Sequence, residues 1–197
     1  MITANYLLTL TETDNLLELK YQTKDNEKGI IYKIAGVLYV HGYSVIKASV
    51  YTDEDGNISD YFEAVKFGDS AYPVDSLEKD LRSLLDSKMT VMTYITKFPE
   101  KYYRFFNDRD KEITANLSVL PGEKAHCAEI SLSTSDRPGL IFEITQVLYM
   151  MYYDIVSISA DTENSNVNDK LIIQREDKGI IEPASLKKLQ NSLYKLL

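Results

Sequence analysis

Apolar and polar residues alternate over positions 16–23, with Leu17, Leu19 and Tyr21 on one face and Glu18, Lys20 and Gln22 on the other, the pattern of a half-buried strand. Residues 2–10 precede it across Thr13, Asp14 and Asn15, so the chain opens on a predicted hairpin. The period then changes. Ile30, Ile34, Val37, Leu38 and His41 recur at helical spacing and predict a helix with one apolar face. Two strands, over 44–51 and 58–66, flank a turn in which Asp55 and Gly56 supply hairpin chemistry. A second helix follows Pro73, with Leu77, Leu81, Leu84 and Leu85 as its stripe, and the β-branched run over 89–96 predicts a last strand.

The pattern is written twice. Ile2, Thr3, Ala4 and Asn5 return as Ile113, Thr114, Ala115 and Asn116, and Leu19 falls on Ile130 and Tyr21 on Leu132 at the same offset. One residue later in register, Gly29 meets Gly139, Ile34 meets Ile144, and Ser49 meets Ser159. The second copy repeats the hairpin around Pro121 and Gly122, a helix carrying Leu140, Ile144, Val147, Leu148 and Met151, and strands over 155–161 and 167–174. Its second helix, after Pro183, carries Leu186, Leu189 and Leu193, and the chain given ends at Leu197 without a last strand. Such internal repetition limits the folds to be considered.

Behind the leading strand of copy one the order strand, helix, strand, strand, helix, strand, repeated in copy two without the last strand, predicts an α+β fold: two ferredoxin-like βαββαβ units, each an antiparallel sheet with two helices on one face. The boundaries read as 1–97 for the first unit, 98–112 for an aromatic-rich linker with Tyr102, Tyr103, Phe105 and Phe106, and 113–197 for the second. The linker is expected to pack as a short helix. In this fold the first strand is central, so residues 114–120, hairpinned to it, are expected on the edge left empty by the missing last strand of copy two.

Composition narrows the function. The chain has 44% hydrophobic and 26% charged residues and no long apolar run, which predicts a cytoplasmic globular protein without membrane association. Its one cysteine, Cys127, and two histidines, His41 and His126, cannot build a Cys/His zinc cage. A net charge of −8 disfavours nucleic acid as a partner. RNA-binding ferredoxin-like sheets also carry stacking aromatics on their central strands, and the first strand of copy two has none.

The sharpest local motif is Asp136, Arg137, Pro138, Gly139, Leu140 at a strand-to-helix turn. Pro138 suits a helix start, Gly139 permits close approach, and Asp136 is placed to cap exposed amides. With no more than this, the turn is a helix cap that also presents amide hydrogens to a small anion. The stretch 136–169, with Ile144, then Asp154, Ile155 and Val156, then Asp169 before Leu171, resembles an ACT domain. The leading hairpin and tandem arrangement are similar in particular to the paired ACT domains of the bacterial uridylyltransferases of the PII system and of plant ACT-repeat proteins.

That resemblance implies a regulatory, non-enzymatic module that binds a small amino acid-like ligand where two ACT domains meet, without a cofactor or metal, as a homodimer or docked on a partner protein. The ligand-contacting positions it implies are Asp136, Arg137, Pro138, Gly139, Leu140 and Ile141, with Asp25, Lys28, Gly29 and Ile30 as counterparts in copy one. Copy one departs from the motif, with Lys28 in the proline position and one extra residue, so binding is expected in copy two. The alternative is a ligand-free scaffold for oligomerisation or partner docking. Asp53, Asp55 and Asn57 have the spacing that opens a calcium loop, but Ile58 stands where glycine is required, so a hairpin turn is expected. His41 is expected to be a packed helix-end residue.

Overall fold

The computed structural model describes residues 5–24, 28–53, 55–67, 74–101, 113–121, 126–135, 137–163 and 166–196. Asp25, Asp136, Pro73 and the linker residues Tyr102, Tyr103, Phe105 and Phe106, among the sequence-derived expectations, lie outside them. The first copy forms β1 (Tyr6–Thr13), β2 (Leu16–Thr23), α1 (Ile30–Val40), β3 (Tyr43–Thr52), β4 (Ile58–Lys66), α2 (Val74–Leu85) and α3 (Val91–Ile95). The second forms β5 (Ile113–Val119), β6 (Cys127–Ser135), α4 (Leu140–Met150), β7 (Tyr153–Glu163), β8 (Asn166–Arg175) and α5 (Pro183–Leu196).

The strands join into one antiparallel sheet in the order β1-β2-β4-β3-β7-β8-β6-β5. Its two halves meet where β3 pairs with β7, and Ser49 lies opposite Ser159, the same position of the two copies. The sheet thus has an approximate two-fold axis through that pair. Both halves even repeat a local irregularity, a register shift between Val45 and Lys47 in β3 and between Ile155 and Ser157 in β7.

One face of the sheet carries the core. Leu17, Leu19, Tyr21, Phe62 and Ala64 are buried against α1 and α2, and Ile130, Leu132, Leu171 and Ile173 occupy the same places in the second half. Alternation along each strand puts Glu18, Lys20, Tyr61 and Lys47 on the opposite face, where Lys20 and Lys47 lie over the Tyr61 ring.

The edge position expected for residues 114–120 is the one observed, with β5 pairing with β6 there. The edge groups of Ala115 are covered: Gln190 Nε2 donates to its carbonyl at 2.8 Å and the Tyr194 hydroxyl at 3.2 Å. The last strand expected over 89–96 in copy one is instead the helix α3. Its edge of the sheet is already filled by β1, and Val91, Tyr94 and Ile95 have helical spacing and are all buried. Thr90 caps it by accepting a bond from the Thr93 amide at 3.1 Å. Among the described residues, each half therefore runs β-β-α-β-β-α, with α3 added at the end of the first, and the leading strand takes the place of the sixth ferredoxin-like element.

Candidate functional site

α1 and α4 lie side by side and antiparallel over the sheet junction, because the N-terminus of each meets the C-terminal turn of the other. Gly29, the N-cap of α1, has φ +71, and a Cβ there would lie 2.7 Å from the Tyr149 ring of α4. Gly139, the N-cap of α4, has φ +88, and a Cβ there would lie 2.8 Å from the Tyr39 ring of α1. Only glycine combines that backbone with so close a neighbour. Between the two crossings, four rings stack in a row: Tyr149 on Tyr32 at 5.1 Å, Tyr32 on Phe142 at 5.4 Å, and Phe142 on Tyr39 at 5.9 Å.

The two loops differ in what surrounds them. At the copy-two loop, Arg137 forms an ion pair with Glu143, both side chains largely buried, and Tyr39 is held by Phe67 and by a bond from its hydroxyl to the Lys101 carbonyl at 3.2 Å. Pro138 is exposed, whereas Gly139, Leu140 and Ile141 are buried. The N-cap position itself is Gly139, which has no side chain to accept a bond, and Asp136, the residue expected to cap this turn, lies outside the described residues. At the copy-one loop, Lys28 reaches across to Glu176 of the second half at 2.6 Å, so this cation is already paired.

Beside Gly29 and Ile30 lies a small cavity of about 30 Å³, bounded by Thr52 and Asp60 of the first half and by Thr145, Tyr149 and Asp154 of the second. It holds water-sized groups, since one water needs about 10–15 Å³. Asp60 is 3% exposed and its Oδ1 has no hydrogen-bond partner among the described residues. Burial pushes its pKa up to about 7, opposed by a backbone bond from Tyr51 and reinforced by the charge of Asp154. Burial raises Asp154 as well; its Oδ1 accepts from the Ile155 amide at 3.1 Å, and Glu176 adds to the rise while Lys28 opposes it. Tyr32, buried in the ring stack, is pushed up to about 12.

Two carboxylates that disfavour ionisation stand near a helix start whose N-cap, Gly29, has no side chain to cap it. The first-turn amides of α1 have no intrahelical acceptor, so the cavity offers hydrogen-bond donors and the positive end of a helix dipole at one side and acidic groups at the other. That combination is complementary to a small zwitterion. Of the sequence-derived positions, Gly29 and Ile30 line this cavity; Arg137 and Lys28 are engaged in ion pairs. Nothing in the sequence placed Asp60 and Asp154 in one site. Asp60 aligns with Asp169, the single acidic residue on the corresponding strand of the other copy, and the strand registers agree, because Asp60 lies opposite Tyr21 and Asp169 opposite Leu132. The position of Asp154 is held by serine, Ser44, in copy one, so the acidic pair is specific to one side.

The other candidates are structural. Asp53 Oδ1 accepts from the amides of Asp55 at 3.0 Å and Asn57 at 2.7 Å, closing a hairpin turn around Gly56. His41 is 2% exposed at the end of α1, with Nε2 3.0 Å from Asp80, and burial lowers its pKa against the raising effect of Asp80. Among the described residues no helix is long and apolar enough to cross a membrane.

No known family model matches the chain. It is 22% identical over 191 residues to the bifunctional uridylyltransferase/uridylyl-removing enzyme of Aromatoleum aromaticum, covering 95% of this chain and 21% of that one. It is 26% identical over 161 residues to the enzyme of the same name from Rhodospirillum rubrum, covering 76% of this chain and 16% of the relative. The chain thus spans about a fifth of the length of these relatives. The aspartate kinase structure from Synechocystis superimposes with a TM-score of 0.49 at 12% identity, over 92% of this chain and 27% of that one. The sequence alignments agree with the ACT-like resemblance read from the loop motif.

Proposed function

We propose that this chain is a pair of ACT-like units acting as a regulatory sensor, and that it binds a small amino acid-like ligand in the cavity between Gly29 and Asp154. The observation that carries this reading is the buried Asp60 Oδ1, without a hydrogen-bond partner among the described residues, beside the start of α1, whose N-cap Gly29 has no side chain, in a cavity walled by both halves of the sheet. The ligand carboxylate would take the α1 amides, and its ammonium would lie against Asp60 and Asp154. The chain would act by binding rather than catalysis, in the cytoplasm, as a homodimer or on a partner protein.

A cavity of about 30 Å³ is too small for an amino acid unless a wall moves. Tyr149 is the wall best able to do so, being 46% exposed where Tyr39, its counterpart, is 5% exposed. Entry of a ligand would then displace the end of α4 relative to α1. Binding that favours one arrangement of the helices shifts the population toward it by the difference in affinity, which is how a site between two halves passes on a signal.

Calorimetric titration of the twenty amino acids tests the reading. Binding of at least one, lost in Asp60→Asn and Asp154→Asn variants that retain the melting profile, is expected. No binding at millimolar concentration would leave the scaffold alternative.

A further inference from the structure

A second, larger cleft opens on the other side of Tyr149, about 880 Å³ in volume, between α1, α4 and the chain leading into α3. Its walls combine three lysines, Lys28, Lys33 and Lys88, with three of the five methionines, Met89, Met92 and Met150, over the rings of Tyr32 and Tyr149. No aspartate or glutamate is among the described residues lining it. We propose that this cleft binds an organic anion carried on an apolar body, with the acidic head at the lysine rim and the body among the methionines.

Three observations support this assignment independently of the small cavity. The volume falls in the range of about 300–1,000 Å³ that small-molecule sites occupy. The charge is locally inverted, since the whole chain carries −8 while the cleft gathers cations only. Two of the three are exchangeable: Lys28 and Lys88 are 52% and 64% exposed, and their partners Glu176 and Asp86 stand outside the lining. Exposed ion pairs of this kind contribute little, so an incoming anion competes for the ammonium groups at small cost. Methionine side chains adapt their shape to a ligand body. One polar group there is also unsatisfied: Gln146 is 4% exposed, its Nε2 donates to the Met92 sulfur at 3.3 Å, and its Oε1 has no hydrogen bond among the described residues.

The probe for this site is anilinonaphthalene sulfonate, an aromatic anion whose fluorescence rises on leaving water, titrated against the full chain with octanoate and octanol as competitors. Saturable binding of one equivalent is expected, displaced by octanoate at lower concentration than by octanol. A Lys33→Gln, Lys88→Gln double variant should weaken it about fivefold or more, the scale of losing two peripheral charge contacts. Met150→Glu, at a position 63% exposed and therefore tolerant of the change, should weaken it as well. Asp60→Asn should leave it unaltered, which separates failure of this site from failure of the amino acid cavity. Non-saturable binding, octanol competing as well as octanoate, or affinity unaffected by both cleft variants would overturn the assignment.

Discussion

The ring of Tyr39 lies over Gly139, with two ring carbons 2.8 Å from where a Cβ would stand, and Tyr149 lies over Gly29 in the same way at 2.7 and 2.8 Å. The two contacts are equivalent in position but not in freedom. Tyr39 is 5% exposed and is stacked between Phe142 and Phe67, whereas Tyr149 is 46% exposed. Gly139→Ala must therefore both strain a left-handed backbone and push against a fixed ring, for a loss of about 2–4 kcal/mol. Gly29→Ala bears the backbone strain but meets a ring that can swing out, for about 1–2 kcal/mol. Urea unfolding of the two variants measures the difference, and a larger loss at Gly29 would mean that Tyr149 is not the movable wall. The loop motif by itself predicts that Gly139→Asp weakens ligand binding with the fold largely intact; with Tyr39 in place, the fold loses stability first.

Much of this architecture was legible because it depends on local periodicity. The hairpins, α1, α4 and both strand pairs follow from alternation and helical spacing, and the equivalence of Gly29 with Gly139 follows from the repeat. The continuous sheet was not legible, since pairing of Ser49 with Ser159 is a contact between distant segments that leaves no mark on either. The run over 89–96 misleads for a different reason. Its β-branched residues favour a strand locally, but β1 already occupies the edge, and burial of Val91, Tyr94 and Ile95 against the helical layer decides the outcome. At the site, the loop glycines were visible as a motif. Asp60 and Asp154 were not visible as a pair, because each comes from a different half.

Asp60 makes stability fall as pH rises. Its folded pKa of about 7 lies above the ordinary value of about 3.9. Between those values the unfolded chain has released the proton that the folded chain still holds, so the folded state loses ground through that window. Asp60→Asn removes the effect, and relative to the parent the variant should gain a few kcal/mol on going from about pH 4 to pH 8, because each tenfold difference in proton affinity between the two states is worth about 1.4 kcal/mol. Denaturation midpoints across that range provide the measurement. Parallel curves for the two proteins would show that Asp60 is ionised in the folded state at all these pH values. Ligand affinity should follow the opposite trend and rise toward pH 7, because an ammonium group binds the ionised carboxylate.

The ring stack ties the two helices together, and Phe142 is its central member, 1% exposed and in contact with both Tyr32 and Tyr39. Phe142→Ala should cost about 3–5 kcal/mol and, if the halves unfold together, should lower one cooperative transition rather than split it. Two transitions by tyrosine fluorescence and circular dichroism would assign the stability of the two halves to separate cores. Tyr32→Phe keeps the ring and its stacking on Phe142 and Tyr149 and should cost far less than loss of the central ring.

Helix α3 supplies a test that separates a helix from the strand its composition suggests. Thr90 accepts the Thr93 amide at 3.1 Å, and the first turn then brings Val91 against Gly36 of α1, where a Cβ would lie 2.9 Å from Val91 Cγ1. Thr90→Ser keeps the accepting oxygen and should be nearly neutral, whereas Thr90→Val keeps the β-branched shape but loses the cap, at a cost of about 1 kcal/mol. A strand would rank the two the other way, because valine is the better strand former. Thermal denaturation of the pair gives the order directly. Greater stability for Thr90→Val than for Thr90→Ser would remove α3, and with it one wall of the lysine-rimmed cleft.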